Sequence, residues 1–210
     1  IKEIPSFITK CHKLNILDIS STEVSQLPEG IENLPITGLY LEESKVEGFP
    51  SILYNFDSLL YLHLNPIEEL PSDIGTFQIK YLKVSLKSFK YLDTIKSLKG
   101  LTLNNSTGKH LPEGLGNLPL LDDLNLRYCK NLFKLPSSMG NIKRLWGLDL
   151  TGCSRLTGLP SSLNQVPIGI LKLDECNNIR SVPKGLQVGS IWARDVTWKS
   201  MPVGIFDSEA

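Results

Sequence analysis

The chain has 210 residues, 41% of them hydrophobic, and its 22 Lys plus Arg are matched by 22 Asp plus Glu. That apolar content can bury a sizeable core and excludes a disordered chain, and the zero net charge excludes a general attraction to nucleic acid or membrane surfaces. No apolar run reaches the roughly 18 residues that span a bilayer, and the opening IKEIPSF has neither an initiator Met nor a signal-peptide pattern, as expected of a piece of a longer protein.

In chain order, a half unit, IPSFITKC, comes first. The pattern L-x-x-L-x-L then recurs as Leu14/Leu17/Ile19, Ile36/Leu39/Leu41, Leu59/Leu62/Leu64, Ile79/Leu82/Val84 and Leu98/Leu101/Leu103. It continues as Leu121/Leu124/Leu126, Leu145/Leu148/Leu150, Ile168/Leu171/Leu173 and Val188/Ile191/Ala193. These are nine units with steps of 22, 23, 20, 19, 23, 24, 23 and 20 residues. Alternation within each unit predicts a short strand with one face inward.

Each strand is followed by a second segment, clearest as LPEGIENL at Leu27, LPEGLGNL at Leu111, LPSSMGNI at Leu135 and LPSSLNQV at Leu159. The prolines fix the phase independently. Pro5, Pro28, Pro50, Pro71, Pro112, Pro136, Pro160, Pro183 and Pro202 share one phase, Pro35, Pro119 and Pro167 another, and only Pro66 lies outside both. Proline lacks an N–H, so these positions belong outside a hydrogen-bonded ladder.

One unit cannot bury both its strand and its returning segment, but stacked units can, through a continuous core. The reading is a single domain over residues 1–210. Residues 1–13 end a preceding repeat, 14–187 form eight full repeats and 188–210 form the last. Parallel strands about 4.8 Å apart would line one side over roughly 40 Å, and the bulkier returning segments would bend the stack around them.

The stretch LNLRYCKNLFKLPSSMGNIKRL from Leu124 resembles the leucine-rich repeats of plant intracellular immune receptors, where LxLxxCxxLxxLPxxLGNLxxL is common. It is also similar to the leucine-rich arms of bacterial effectors, some of which carry a ubiquitin-ligase domain elsewhere. The resemblance covers essentially the whole chain. It implies an α/β solenoid, a leucine-rich repeat horseshoe of about nine repeats of 19–24 residues. Its parallel β-sheet would be concave, with short helical, 3-10 or extended segments on the convex side. It further implies a non-catalytic, intracellular (cytoplasmic) arm that binds a host or pathogen protein on the concave face. An effector would instead be secreted into the host cell.

Cys129, Cys153 and Cys176 each fall three residues after the last apolar strand residue, where other units place Thr22, Ser44 and Ser106. In the family this is a turn position, usually Asn, whose side chain serves turn backbone groups. Metal ligands must converge, and a column of parallel side chains does not. Stacked cysteines would lie near 5 Å apart, within disulfide range by Cα distance, but their Cβ vectors run parallel and three thiols leave one odd. Reduced thiols in an intracellular setting are expected, and Cys11, aligned with Leu34 and Leu118, reads as core. The overlapping glycosylation sequons in Asn104-Asn105-Ser106-Thr107 point the other way. The cysteine units run one residue longer to the L-P motif, which suggests a distinct turn geometry.

Outward strand positions are free of core packing, so their residue types are informative. Tyr40, Tyr61, His63 and Tyr81 should cluster across the second to fourth units, with Lys80 and Lys83 beside them. Exposed tyrosines offer large contact area at low entropy cost; the alternative is ordinary stacking between strands. Arg127, Tyr128, Trp146 and Trp192 form a sparser set toward the C-terminal end, where Trp192 and Trp198 could instead cover the stack. Charge is segregated too. Residues 20–75 hold ten acids and one base, and residues 76–110 seven Lys and one Asp. That pattern fits an electrostatically complementary docking face.

Catalytic patterns are lacking. There is no phosphate-cradling G-x-x-x-x-G-K-[ST] and no H-E-x-x-H. His12, His63 and His110 fall in different units, and the pairs Glu42-Glu43 and Glu68-Glu69 fall at turns, without a cleft. The expectation is a protein-binding arm with no metal or small-molecule cofactor, no membrane contact and no nucleic acid. A nucleic-acid binder using the Lys80–Lys109 band with Tyr81 is the competing class.

Overall fold

Alternating leucines make strands too short to stand alone, so every strand depends on its neighbours. The computed structural model describes residues 1–198, and Pro202 with the second half of the last repeat lies outside them. Nine parallel strands form one sheet in chain order. They are β1 (Ile16–Asp18), β2 (Gly38–Tyr40), β3 (Tyr61–His63), β4 (Tyr81–Lys83) and β5 (Gly100–Thr102), then β6 (Asp123–Asn125), β7 (Leu145–Asp149), β8 (Ile168–Lys172) and β9 (Val188–Trp192). The register never slips: Leu17, Leu39, Leu62, Leu82, Leu101, Leu124, Leu148, Leu171 and Ile191 sit opposite one another in turn. A slip of one residue would put this ladder in water.

Among the described residues the convex side carries eight short 3-10 turns and no α-helix. Five of them are preceded by the motif proline, in extended conformation: Pro5, Pro50, Pro112, Pro136 and Pro160. Segments of three to five residues are too short to nucleate an α-helix. Their central Leu, Ile or Met points inward, as with Leu53, Leu115, Met139 and Leu163, and meets the strand ladder in one continuous core. Where the motif is weakest, Phe49, Tyr54 and Phe77 pack on one another at 5.5–5.8 Å, Phe77 edge to face with the other two rings, and fill the space. Cys11 is half-buried rather than core: it caps the C-terminal end of the first 3-10 turn, Ser6–Lys10, which has no fully buried residue.

The turn column divides into two kinds. Thr22 and Ser44 donate to the carbonyls of Ile19 and Leu41, in their own repeats, at 2.7 Å, and accept the N–H of Val24 and Val46. The thiols of Cys129, Cys153 and Cys176 instead donate to the carbonyls of Leu103, Leu126 and Leu150 in the preceding repeat, at 2.9–3.1 Å. The extra residue of the cysteine units explains the change. The next buried side chain comes three residues on (Leu132, Leu156, Ile179) instead of two (Val24, Val46). Ser106 is intermediate and accepts the N–H of Leu86.

All four cysteines are free. Burial pushes the Cys129 and Cys176 thiols from an ordinary 9.0 up to about 12, and raises Cys153 as well. In native protein near pH 8 (an ordinary alkylation pH) only Cys11 should react with iodoacetamide, and all four after denaturation. The fold holds these protons above their unfolded value, so the thiols' contribution is present below about pH 9 and lost as pH rises toward about 12. Thermal melts should fall over that range, less steeply in Cys153→Ser. Rapid native alkylation of Cys153, or a melt flat in alkali, would contradict this packing.

Candidate functional site

Register turns residues about 20 apart in sequence into neighbours on the concave face. Tyr61 lies opposite Tyr81, and Tyr40, His63 and Lys83 follow one another across β2, β3 and β4. Tyr61 and Tyr81 stack with centroids 4.7 Å apart and planes at 4°, and Tyr61 stays 40% exposed. The Tyr81 ring leans over Gly100, where a Cβ would sit 2.7 Å from it. Tyr40 meets His63 edge to face at 4.5 Å. The four aromatic side chains expected to cluster are therefore one patch.

Glu42, read from the sequence as a turn residue without a cleft, joins this patch. Its carboxylate accepts from Lys83 Nζ at 2.8 Å and lies 3.1 Å from His63 Nδ1. Parity could have found it: skipping inward Leu41, Glu42 is the next outward residue after Tyr40. Burial lowers the His63 pKa, outweighing Glu42, while Lys83 lowers it further. His63 is therefore neutral at pH 7. Its Nδ1–H donates to the carboxylate, leaving Nε2 as an acceptor. The sign follows: this contribution to stability is present above the ordinary value of 6.5 and lost as pH falls through the lowered one. Beside Glu42 and Lys83 opens a hollow of about 240 Å³ lined also by Asn65 and Asn104, and the Asn104 Oδ1 is buried without a partner.

Elsewhere the same strand position has a structural duty. Asp18, Asn125 and Asp149 accept the N–H two residues on, from Ser20, Arg127 and Thr151, at 2.9–3.1 Å. Such side chains stabilise the strand exit. Tyr40, His63 and Lys83 have no such task, so their position is open to recognition.

The C-terminal set does not form one patch. Trp146 on β7 is 59% exposed, with the Arg144 guanidinium 4.1 Å from its ring. Trp192 on β9 lies between Lys172 and Arg194, at 5.2 and 4.9 Å, and Lys172 pairs with the buried Asp149 at 3.3 Å. Trp198 donates to the Cys176 carbonyl at 2.7 Å and packs on the core end. Tyr128 corrects an expectation: it is not on the concave sheet. Strand alternation ends at Arg127, Tyr128 turns left-handed (φ 57°), and its ring lies against Gly152 with its hydroxyl 3.2 Å from Glu175.

The charge bands also read differently in three dimensions. Lys83, Lys87 and Lys90 of the basic band pair with Glu42, Glu68 and Glu69 of the acidic one. The bands neutralise each other along their border, which leaves no continuous cationic track from Lys80 to Lys109. Lys80, half-buried just before β4, has no ion pair among the described residues. Those residues also contain no group of three or more His, Cys, Asp or Glu able to hold a metal ion, and no helix long and apolar enough to cross a membrane.

A parallel leucine ladder with 3-10 turns on its outer side gives the chain the leucine-rich repeat fold, a horseshoe solenoid. Over 155 residues it is 29% identical to the protein SUPPRESSOR OF npr1-1, CONSTITUTIVE 1 of Arabidopsis thaliana, a match to 70% of this chain and 11% of that protein. Its fold is similar to a chain of the Toll–Spatzle complex of Drosophila, with TM-score 0.72 and 23% identity over 93% of this chain and 29% of that one. It is also similar to the leucine-rich repeat domain of the type III effector XopL, with TM-score 0.71 and 22% identity over 92% of this chain and 73% of that one. The chain thus spans about a tenth of the curated relative it matches and under a third of the Toll complex chain. No family profile matches it.

Proposed function

We propose that the chain is a non-catalytic recognition arm of an intracellular immune protein. It binds a protein partner on its concave face, centred on Tyr61 and Tyr81 with Tyr40, His63, Glu42 and Lys83 around them. The observation that carries this reading is the exposed tyrosine stack on strands whose outward positions are free of backbone capping. A rigid aromatic pair presents a large desolvatable area at little entropy cost. The immune setting is supported by the likeness to the Arabidopsis protein and by the LxLxxCxxLxxLPxxLGNLxxL pattern, and the intracellular setting by free thiols committed to the turns. The bacterial-effector reading has the shared fold alone behind it.

The test is a capture experiment with the intact chain and the Tyr61→Ala/Tyr81→Ala double variant as baits. The double variant should bind the captured partner about thirtyfold more weakly, a loss of about 2 kcal/mol, with its melting point nearly unchanged. Lys83 is held by Glu42, so Lys83→Ala should act through dissociation; unpaired Lys80 should act through a salt-dependent association rate. Exposed Glu29 is the control, and Glu29→Ala should match the intact chain. Equal recovery by both baits would place the binding surface elsewhere.

A further inference from the structure

A second surface lies on the flank between the cysteine turns and the convex 3-10 turns. There a hollow of about 480 Å³ is lined by Lys109, His110, Asn131, Phe133, Arg155 and Asn178, among others. These residues come from four successive repeats, brought together by parallel backbone contacts such as the His110–Lys134 bridge and the Phe133 N–H to the Lys109 carbonyl. None belongs to the concave patch.

The lining itself is cationic: it holds Lys109, His110 and Arg155 and no acid. Along the span that it draws on, residues 109–178, the balance is eight Lys or Arg to six Asp or Glu. Among the described residues, Lys109, His110 and Arg155 have no carboxylate in ion-pair range. This contrasts with Lys83, Lys87 and Lys90, each of which has found a glutamate. In their midst Phe133 is 53% exposed, an aromatic ring left on an otherwise polar flank. The two amides are oriented by their own backbone contacts. Asn131 Nδ2 donates to the Thr107 carbonyl at 3.2 Å and Asn178 Nδ2 to the Ser154 carbonyl at 2.5 Å. Both Oδ1 atoms are thereby left as acceptors.

We propose that this hollow docks an acidic peptide segment of a protein partner. Its carboxylates meet Lys109, His110 and Arg155, an apolar side chain lies on Phe133, and backbone N–H groups reach the Asn131 and Asn178 oxygens. Charge complementarity selects the occupant. The amide acceptors favour a peptide over a polynucleotide, because a phosphate backbone carries no donor to satisfy them. A single aromatic ring is also a poor platform for successive bases, which stack on several. The surface is separate from the concave one, so the two can be occupied by different partners or by two segments of one.

The experiment is fluorescence anisotropy at physiological salt, with the intact chain and a short fluorescein-labelled peptide of Asp and Glu flanking a Leu-Phe pair. Binding is expected, weakening as salt rises. Lys109→Glu/Arg155→Glu should lose at least about thirtyfold in affinity and Phe133→Ala about tenfold. The lost side chains are exposed, so melting should not change. Tyr61→Ala/Tyr81→Ala should bind the peptide as the intact chain does, which separates this site from the concave one. The proposal is overturned if the peptide does not bind, if the charge-reversed variant binds it equally, or if an oligothymidylate of similar length binds as tightly.

Discussion

Leu148→Asp should leave almost no folded protein. Leu148 is fully buried in β7, opposite Leu124 on one side and Leu171 on the other, so it sits in the ladder that every repeat shares. An aspartate there loses the leucine's burial, roughly 2 kcal/mol, and places a carboxyl group among apolar side chains with no partner. The combined cost of about 4 kcal/mol or more is a large part of a domain's whole stability. The solenoid offers no easy escape, because turning the side chain outward shifts the register against both neighbours. Circular dichroism melts of soluble material are the measurement. An unchanged midpoint would mean that Leu148 does not face the core.

Gly116→Val should be nearly as damaging, for a different reason. In the 3-10 turn Glu113–Asn117, a Cβ at Gly116 would lie 2.0 Å from the Ser138 carbonyl oxygen and 2.6 Å from the Met139 nitrogen. Both are backbone atoms of the next repeat's turn, so no side chain can swing aside. The two repeats must separate, which overpacks the convex side at a cost of about 3 kcal/mol. The same column gives an internal ranking. At Gly140 the nearest contact would be the Ser162 Cβ at 2.5 Å, and at Gly75 the Thr94 Cβ at 2.9 Å. Alanine should therefore cost most at Gly116, less at Gly140 and least at Gly75. Equal melting points for the three alanine variants would contradict the packing of the convex turns.

The strand ladder was legible because its period is strict and its parity binary: once Leu62 is inward, Tyr61 and His63 are outward. That logic carried Tyr40, Tyr61, His63, Tyr81 and Lys83 to one face, and the parallel register brought them together. It stopped where the chain stopped being a strand. Tyr128 is left-handed, so parity no longer applies, and it braces Gly152 instead of facing a partner. Glu42 is hidden in the sequence for the complementary reason. It lies just past β2, and its value comes from Lys83, 41 residues away, a pairing that depends on side-chain reach across two repeats. The mutual neutralisation of the charge bands is of the same kind. Counts along the chain separate acid from base, whereas stacking sets Glu68 and Glu69 beside Lys87 and Lys90. The convex turns were open between helix and extended chain because leucine spacing does not distinguish a 3-10 turn from one turn of α-helix.

The central claim is that the concave face around Tyr61 and Tyr81 is where a protein partner is held. The most direct measurement is site-specific photocrosslinking, with benzoylphenylalanine placed singly at Tyr81, at Tyr61 and, on the convex side, at Glu29. Each variant is irradiated in an extract of cells that naturally contain the protein. The account predicts the same higher-mass adduct from positions 61 and 81, lost when Tyr40 and His63 are also changed to alanine, and no such adduct from position 29. An adduct from position 29 with none from 61 or 81 would contradict it.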